Sequence, residues 1–430
     1  MPKRPRNQEV NDAIEALDSV RRAWLRRPGV TAVDVGFKIK NDEVTDTVAL
    51  RVHVGRKLPA AELAKSEVFN ETGKAVKKVG GFPIDVIEAT YGPSNAPIVL
   101  DDEDVDALEA VDRLGVVDPL IGGISCGNPR VTAGTIGAIV FNKTTCKPMI
   151  LSNWHVLAGA SAAAVGESIL QPGQFDGGTQ TVANLTKMVL DSRMDAAVAT
   201  LNGARGHTRD ILGLGTVSGI DSPTLGMDVV KSGRTTGITE GLVDGVSMSV
   251  SINYGDPGVV SFSNQIRIVP RAPWPTVDYE VSKGGDSGSV WLNEANNRAI
   301  GLHFAGETSP SPSAENAICS PMGPIATELN FSFLPVLCRA PLFDICDRYP
   351  WICEPWVRWP WPRLPFPWPD PDPFDPRFRD LGGLLRGIGG GLRGGPQAAA
   401  DTPCGCDRKS GDLDLRQIAA LVAAYLQQEA

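Results

Sequence analysis

The sequence predicts a mostly β protein with a small α/β domain in front and a Pro- and Trp-rich extension behind. Short apolar runs separated by turn residues fill the middle of the chain, and a helical pattern followed by strands precedes them. The segment 341–376 is dense in Pro and Trp, which excludes regular helix and sheet there. The length of 430 residues predicts two or three domains at about 100–200 residues each.

The first part of the chain, residues 1–115, predicts an α/β domain that ends in an acidic linker. Apolar side chains recur at helical spacing over residues 8–27, and Pro28 and Gly29 end that helix. Alternating apolar and polar residues then indicate strands. The further elements are strands at 31–38 and 47–54, a short helix at 58–65 and a third strand at 82–89.

The central part, residues 116–340, predicts an all-β domain. Gly, Ser, Thr and Val are abundant, and short apolar runs such as 135–141, 196–201 and 241–249 recur between turn residues. Many short strands with regular turn signals are typical of a β-sandwich or a β-barrel.

Three segments follow the central domain. Residues 341–380 form the Pro/Trp-rich extension, for which we expect polyproline II or irregular structure. Residues 381–411 are a Gly-rich linker, and residues 412–430 carry apolar side chains on one helical face. The extension and the terminal helix are candidates for self-association or for docking a partner. The alternatives are aromatic packing against the body of the protein and a solvated tail.

Charge and hydropathy exclude several function classes. The net charge of −9 argues against nucleic acid as a partner, because phosphate binding requires a basic face. No apolar run approaches the roughly 20 residues of a membrane span. The polar N-terminus lacks the apolar core of a signal peptide, so we expect a cytoplasmic location and mostly reduced cysteines.

The cysteines and two of the four histidines give no functional signal. The five cysteines after position 337 have spacings that fit no closed zinc site, so we expect no metal. Cys126 and Cys146 are expected to be buried thiols. His53 is expected to be structural or at the surface, and His207 to be solvated.

The segment KGGDSGSV at 283–290 is the strongest chemical signal. Glycines around Ser287 allow a sharp turn and leave the N–H groups of Gly285 and Ser287 directed at an oxyanion. A serine nucleophile needs a base. His155, in MILSNWHVLAG, follows an apolar strand that would deliver its imidazole to a cleft. Asp195, just before the apolar run of MDAAVATL, is the preferred third member, and Asp191 is the competing acid.

The blocks LSNWHV, DAAVA and GGDSGS resemble, in order, the three catalytic blocks of the chymotrypsin/trypsin-like serine peptidases. The resemblance covers residues 122–335, about half of the chain. SGRTTG at 232–237 is similar to the bacterial branch that contains α-lytic protease and the streptogrisins. The whole arrangement resembles the plant narrow-leaf trypsin-like proteins and their bacterial relatives. The resemblance implies two antiparallel β-barrels with the active site between them.

The resemblance also assigns roles to the residues and implies a serine endopeptidase with a protein or peptide substrate and no cofactor. Ser287 would attack the scissile carbonyl, His155 would take its proton, and Asp195 would orient the imidazole. Asp286 would be buried and would need a cation, which the bacterial branch supplies from an arginine in the SGRTTG block, here Arg234. We therefore expect activity without cleavage of the N-terminus.

The resemblance says less about specificity. AIGLHFAG at 299–306 would form the strand that lines the substrate cleft, ending at Gly306. His303 stands where glutamyl endopeptidases place a histidine that binds the substrate glutamate, and Ser282 stands where some members place a second hydroxyl. Val281 replaces the acid of a trypsin-like pocket, so Glu at P1, the residue before the cut, is the hypothesis. Phe304 stands where many members have a serine that supports the catalytic acid, which leaves the support of Asp195 open.

Two rival functions differ from an active peptidase. One is a non-catalytic peptide-binding or assembly module on a protease fold. The other is a protease that its own N-terminal domain inhibits. An esterase of the α/β-hydrolase type is excluded, because that fold needs the order serine, acid, histidine.

Overall fold

The computed structural model describes residues 2–40, 43–57, 78–93, 113–271, 280–308 and 315–336. Residues 1–338 and 339–430 form two compact units, and only the first is described. The predicted helix at 58–65, the Pro/Trp-rich extension and the terminal helix therefore lie outside the described residues. Within the described ranges, no helix combines the length and apolar character needed to cross a bilayer.

The described chain is mostly β, as predicted. Its helices are α1 (Asn7–Leu25), α2 (Trp154–Leu157) and α3 (Met322–Glu328). Its strands are β1 (Val30–Lys40), β2 (Glu43–Val54), β3 (Lys78–Val79), β4 (Phe82–Glu88), β5 (Tyr91–Pro93), β6 (Leu120–Gly122), β7 (Ser125–Cys126), β8 (Gly134–Thr135), β9 (Ala138–Asn142), β10 (Pro148–Ser152), β11 (Ser168–Leu170), β12 (Thr181–Leu190), β13 (Asp195–Leu201), β14 (His207–Ile211), β15 (Gly215–Thr216), β16 (Asp228–Gly233), β17 (Gly237–Asn253), β18 (Val259–Pro270), β19 (Val290–Asn293), β20 (Arg298–Glu307), β21 (Ala317–Pro321) and β22 (Phe331–Ser332).

Two antiparallel sheets build the central part. In one, pairing runs through β16, β19, β20, β21, β18 and β17 and returns to β16, as in a six-stranded barrel. The other has the order β11-β12-β13-β10-β9-β22. The two sheets share one apolar core in which Leu151 and Val198 of one meet Val290 and Leu302 of the other. The site described below lies where the sheets meet.

The N-terminal strands continue the sheet of the central part. β1 pairs antiparallel with β17, and β2 and β4 then extend the sheet, with β2 and β4 parallel. Six consecutive residues of β1, 32–37, are buried, because α1 covers the strand through Leu17 and Trp24. The predicted helix at 8–27 and the predicted strands are confirmed. The predicted domain boundary after residue 115 stays a prediction, since residues 94–112 are not described.

A buried ionic network joins the N-terminal strands to the barrel. Arg51 contacts Asp34 and Asp244, each at 2.5 Å, and none of these side chains is exposed. Burial raises the pKa of Asp34, but Arg51 and then His53 outweigh it and hold that pKa well below its usual range. His53 contacts Asp34 through Nε2 at 3.1 Å and Tyr91 Oη through Nδ1 at 2.5 Å. His53 is therefore a buried structural residue.

One cysteine expectation is confirmed and one is wrong. Cys126 is a fully buried free thiol, and burial raises its pKa. Cys146 is instead half-buried and disulfide-bonded. It lies in the turn between β9 and β10, with a φ of 56°, and outside both buried strands.

Candidate active site

His155 lies in the short helix α2, which follows the buried strand β10. Asn153 is extended, with φ −80° and ψ 161°, and turns the chain from the strand into the helix. His155 Nδ1 lies 2.6 Å from Asp195 Oδ2, and its backbone N–H donates to Asp195 Oδ1 at 3.3 Å. The imidazole and the carboxylate therefore form a pair fixed at two points.

Asp195, the first residue of β13, is fully buried. Besides His155, it accepts a hydrogen bond from the Tyr254 hydroxyl, 2.7 Å from Oδ2. A buried carboxylate is stable only where donors compensate its lost hydration, and these contacts supply them. Asp191, the competing acid, instead pairs with the half-exposed Arg193. The structure pairs His155 with Asp195 and not with Asp191.

The loop of Ser287 and Val156, the residue after His155, both pack against β8 (Gly134–Thr135). Ser287 is buried, and its backbone carbonyl accepts a hydrogen bond from the Thr135 N–H at 2.8 Å. A Cβ added to Gly134 would lie 2.4 Å from Val156 Cγ2 and 3.1 Å from Ser287 O. Gly134 therefore lies between the main chain of Ser287 and the side chain of Val156. His155 Nε2 is buried and has no hydrogen-bond partner among the described residues.

The turn before Ser287 requires a glycine at position 285. Gly285 has a φ of +97°, which side chains other than hydrogen rarely permit. A Cβ there would lie 2.5 Å from Thr235 Oγ1. The Thr135 hydroxyl fixes the turn by donating to Gly285 O at 2.8 Å. The sharp turn predicted from the KGGDSGSV segment is present.

The cation partner of Asp286 is Lys231. Neither side chain is exposed, and Lys231 Nζ lies 3.1 Å from Asp286 Oδ2. Asp286 also accepts from the backbone N–H groups of Thr235, Thr236 and Lys283 and from the Thr236 hydroxyl. Burial raises the pKa of Asp286, but Lys231 and these donors outweigh it and lower that pKa to about 2. Asp286 is therefore an ionised, fully satisfied carboxylate.

The predicted ion pair between Arg234 and Asp286 is wrong. The Arg234 guanidinium turns away from Asp286 and binds Asp176, with Nε 2.9 Å from Oδ2, and lies 5.8 Å from the Phe175 ring centroid. Lys231, three residues earlier, is on strand β16 and reaches Asp286 instead. The signal that could have identified it is a lysine inside an otherwise apolar, buried strand.

His303, the predicted specificity residue, is fully buried on β20. Burial, and then the nearby Lys231 charge, lower its pKa to about 3, so the imidazole is neutral. Its ring lies edge-on to Trp291 at 6.5 Å between centroids. Neither ring nitrogen makes a well-formed hydrogen bond in the part of the chain that the structure describes; the Ile318 main chain lies near the ring and only weakly opposes the lowering of its pKa. A neutral imidazole with an unused N–H can donate to a ligand.

Glu315 is a residue of this region that the sequence analysis missed. Its carboxyl oxygen Oε1 accepts from the N–H groups of Val281, at 2.8 Å, and Ser282, at 3.4 Å. Burial, followed by the charges of Glu280 and Glu307, raises the pKa of Glu315 to about 10. At neutral pH it is an uncharged acid. It contacts Val281, the position that lacks the acid expected of a trypsin-like pocket.

Gly306, the predicted end of the substrate strand, is covered by a strand of the N-terminal part. β5 pairs antiparallel with β20, with Gly92 opposite Gly306, Pro93 opposite Ala305 and Tyr91 opposite Glu307. Ala305 and Gly306 also pair with β21, so β5 occupies the other edge of β20. That is the edge to which the Ser287 loop bonds through Gly288 N–H and His303 O, 2.9 Å apart.

No metal site is apparent in the described residues, where no group of three or more His, Cys, Asp or Glu side chains could hold an ion. His207 is exposed, in agreement with the expectation for it.

Two known proteins are similar to this chain in sequence. No family model matches the chain. Protein NARROW LEAF 1 of Oryza sativa subsp. japonica is 26% identical over 342 residues, which cover 70% of this chain and 56% of that protein. The chain therefore spans little more than half of this relative. Glutamyl endopeptidase 2 of Streptomyces griseus is 29% identical over 202 residues, which cover 47% of this chain and 88% of that protein.

Two solved structures align with about half of the chain. Thermobifida fusca protease A has 19% identity and a TM-score of 0.37, covering 49% of this chain and 96% of its own. A glutamic acid specific serine protease, described as using a histidine triad in substrate binding, has 20% identity and a TM-score of 0.38 over 50% of this chain and 99% of its own.

Proposed function

We infer, from the resemblance to chymotrypsin/trypsin-like serine peptidases that the comparisons confirm over about half of the chain, that this protein is a serine endopeptidase. The relatives support that enzyme class, a hydrolase of peptide bonds. The observation that carries the proposal at the level of residues is the buried pair of His155 Nδ1 and Asp195 Oδ2 at 2.6 Å, beside the loop of Ser287.

The proposed reaction uses Ser287, His155 and Asp195. Ser287 Oγ attacks the scissile carbonyl carbon while His155 Nε2 takes the hydroxyl proton. The backbone N–H groups of Gly285 and Ser287 would bind the oxyanion. The imidazolium then gives its proton to the leaving amine, the C–N bond breaks, and an acyl-ester on Ser287 remains. A water that His155 deprotonates then attacks the ester carbonyl carbon. The bond from that carbon to Ser287 Oγ breaks, His155 returns the proton to Ser287 Oγ, and the acid product leaves.

Two features of the site support these roles. His155 Nε2 is a buried polar atom with no partner among the described residues, as a base poised for a hydroxyl or a substrate would be. The Lys231 charge already compensates Asp286 inside the intact chain. We therefore propose that the Ser287 loop is ordered without cleavage near residue 122. Intact-mass analysis of an active preparation tests this, and activity that appears only after cleavage there would refute it.

We propose Glu at P1 on the basis of His303. A neutral, buried imidazole with unused ring nitrogens suits a ligand that accepts a hydrogen bond, as a carboxylate does. Glu315, near Ser282, would repel such a ligand if ionised, but its raised pKa keeps it uncharged at neutral pH. One relative is named a glutamyl endopeptidase, which supports the same direction.

An autoinhibited protease is the second candidate function, and the pairing of β5 with β20 favours it. An extended peptide binds a sheet edge by adding a strand, and this edge of β20 leads from His303 and the Ser287 loop to Glu307. β5 occupies that edge, with Pro93 at the end nearer to His303. A peptide substrate that paired with Ala305 and Gly306 would have to displace it.

The neighbouring contacts of β5 fix it in this place. The Tyr91 hydroxyl is 2.5 Å from His53 Nδ1, which belongs to the buried ionic network. The Thr90 and Thr308 hydroxyls lie 2.7 Å apart at the outer end of the pairing. Strand β5, which would compete with a substrate for this edge, is therefore held by side-chain contacts as well as by backbone pairing.

Active-site labelling decides between the candidates. A fluorophosphonate should label the wild type and should fail on Ser287→Ala and His155→Ala, because phosphonylation needs an activated serine. Fast labelling with turnover indicates an open peptidase, and slow labelling indicates an inhibited one. A wild type that resists the label as fully as Ser287→Ala would point to the non-catalytic module and reject the peptidase.

A further inference from the structure

We propose that Tyr254 is a positioning residue, whose hydroxyl holds the carboxylate of Asp195 in the plane that orients His155. This inference rests on the proposed function and names one more residue of its machinery. Tyr254 Oη lies 2.7 Å from Asp195 Oδ2, the same oxygen that accepts from His155 Nδ1. The sequence analysis left the support of Asp195 open, because Phe304 has no polar group to offer it.

The chain holds Tyr254 rigidly at the tip of the β17–β18 hairpin. The Tyr254 N–H donates to Gly258 O at 3.0 Å, and the turn uses positive φ angles at Gly255, +75°, and Gly258, +101°. The tip is tied to the segment after α2, since Ser161 Oγ donates to Asp256 Oδ1 at 2.9 Å. The hydroxyl therefore reaches Asp195 from the turn between β17 and β18, whereas Phe304 lies on β20.

Aromatic packing fixes the direction of the Tyr254 side chain. Its ring lies 5.9 Å from the His155 ring, 6.1 Å from Phe262 and edge-on to Trp154 at 6.4 Å. Phe262 in turn packs on Phe304 at 4.9 Å. Phe304 thus contributes to the position of the tyrosine ring instead of contacting the carboxylate. Tyr254 and His155 also line one cavity of about 210 Å³.

The phenol can act only as a donor here. Burial, and then the Asp195 charge, raise the pKa of Tyr254 well above its usual value, so the proton stays on the oxygen. Asp195 therefore has three donors: the Tyr254 hydroxyl and His155 Nδ1 on Oδ2, and the His155 N–H on Oδ1. Donors on both oxygens prevent rotation of the carboxylate, which would otherwise let the imidazole leave its orientation.

The test is Tyr254→Phe, which keeps the packed ring and removes only the hydroxyl. We expect kcat for a peptide substrate to fall roughly ten- to a hundredfold, the effect of one hydrogen bond to a charged group, with KM unchanged. Ser251→Ala is the matched control, because it removes a hydroxyl from the exposed pair with Ser261 on the same hairpin. The control should keep wild-type kcat, and thermal unfolding should show both variants folded.

A second measurement does not depend on catalysis. The NMR resonance of the His155 Nδ1 proton should move in Tyr254→Phe relative to the wild type, because the carboxylate oxygen that loses the tyrosine donor accepts more strongly from that proton. The groups that face His155 are Asp195, Tyr254, Arg130, Asp256 and the neutral His303, and only Tyr254 changes.

The outcomes separate the two proposals. An unchanged kcat together with an unchanged resonance of the His155 Nδ1 proton in Tyr254→Phe would overturn the positioning role. A wild type that neither cleaves peptides nor accepts a fluorophosphonate would reject the proposed function, and the NMR shift would still decide the role of Tyr254. Active-site titration measures whether the lower kcat of Tyr254→Phe comes only from a smaller folded fraction. That result would likewise overturn the positioning role of Tyr254.

Discussion

Lys231 Nζ lies 3.1 Å from Asp286 Oδ2, and both side chains are fully buried next to the proposed nucleophile. The pair couples the stability of the barrel to the shape of the Ser287 loop, because Lys231 comes from a strand and Asp286 from the loop. Breaking such a pair leaves an uncompensated buried charge.

Lys231→Met should lower the free energy of unfolding by about 3–5 kcal/mol and abolish labelling of Ser287. The double variant Lys231→Met with Asp286→Asn should recover part of the stability, since no charge is left unpaired. Urea unfolding of the two variants and the wild type measures this. An unfolding free energy of Lys231→Met equal to the wild-type value would show that Asp286 does not need its cation.

Glu315 should make the protein less stable as the pH rises. Its folded-state pKa, about 10, lies above the ordinary 4.5, so the folded chain holds a proton that the unfolded chain releases. The stabilisation is therefore complete below pH 4.5 and is lost as the pH rises toward 10.

Glu315→Gln keeps an oxygen for the Val281 N–H and removes the titration. Urea midpoints at pH 5, 7 and 9 should fall more steeply for the wild type than for this variant. Parallel pH profiles for the two proteins would contradict the raised pKa.

Gly92→Pro should relieve the competition of β5 with substrate. Proline removes an N–H from the paired segment, and even a Cβ at Gly92 would lie 2.6 Å from Thr308 Cγ2. We expect kcat/KM for a peptide to rise roughly tenfold, the effect of losing one or two hydrogen bonds. Gly323→Ala on α3, where no atom lies within 4 Å of the new methyl group, is the control. A rate unchanged by Gly92→Pro would remove the support for autoinhibition.

His303→Leu should abolish a preference for Glu over Gln at P1. A hydrogen bond from the imidazole to a carboxylate corresponds to about a 10- to 100-fold difference in kcat/KM. Profiling a peptide library with the wild type, His303→Leu and the exposed-histidine control His207→Leu measures this. A wild type that prefers Lys or Arg at P1 would end the glutamate hypothesis.

Local patterns were sufficient for the elements and for the order of the proposed catalytic residues. Apolar periodicity placed α1 within two residues at each end, because one face of that helix is buried on β1. Asp195 was preferred to Asp191 because the apolar run begins directly after it, and burial on β13 is what brings it to His155.

The contacts that local patterns could not predict join residues far apart in the chain. Tyr254 reaches Asp195 across 59 positions, and Glu315 reaches Val281 across 34. The choice of Lys231 over Arg234 depends on the direction of the Lys231 side chain on β16 and on the turn that follows the strand at Arg234, which spacing alone does not encode. The cytoplasmic location and the docking roles of the extension and the terminal helix stay predictions.

The ladder between β1 and β17 determines how the molecule would respond to a cut in its own backbone. Helix α1 and strands β1 to β5 are bonded to the barrel through that ladder, the Arg51 network and the β5–β20 pairing. A chain severed between Pro93 and Arg113 should therefore keep both fragments together under native conditions and separate them only in denaturant. Deleting the N-terminal fragment would uncover the edge of β17 that pairs with β1, so the shortened protein should aggregate before any gain in activity could be measured.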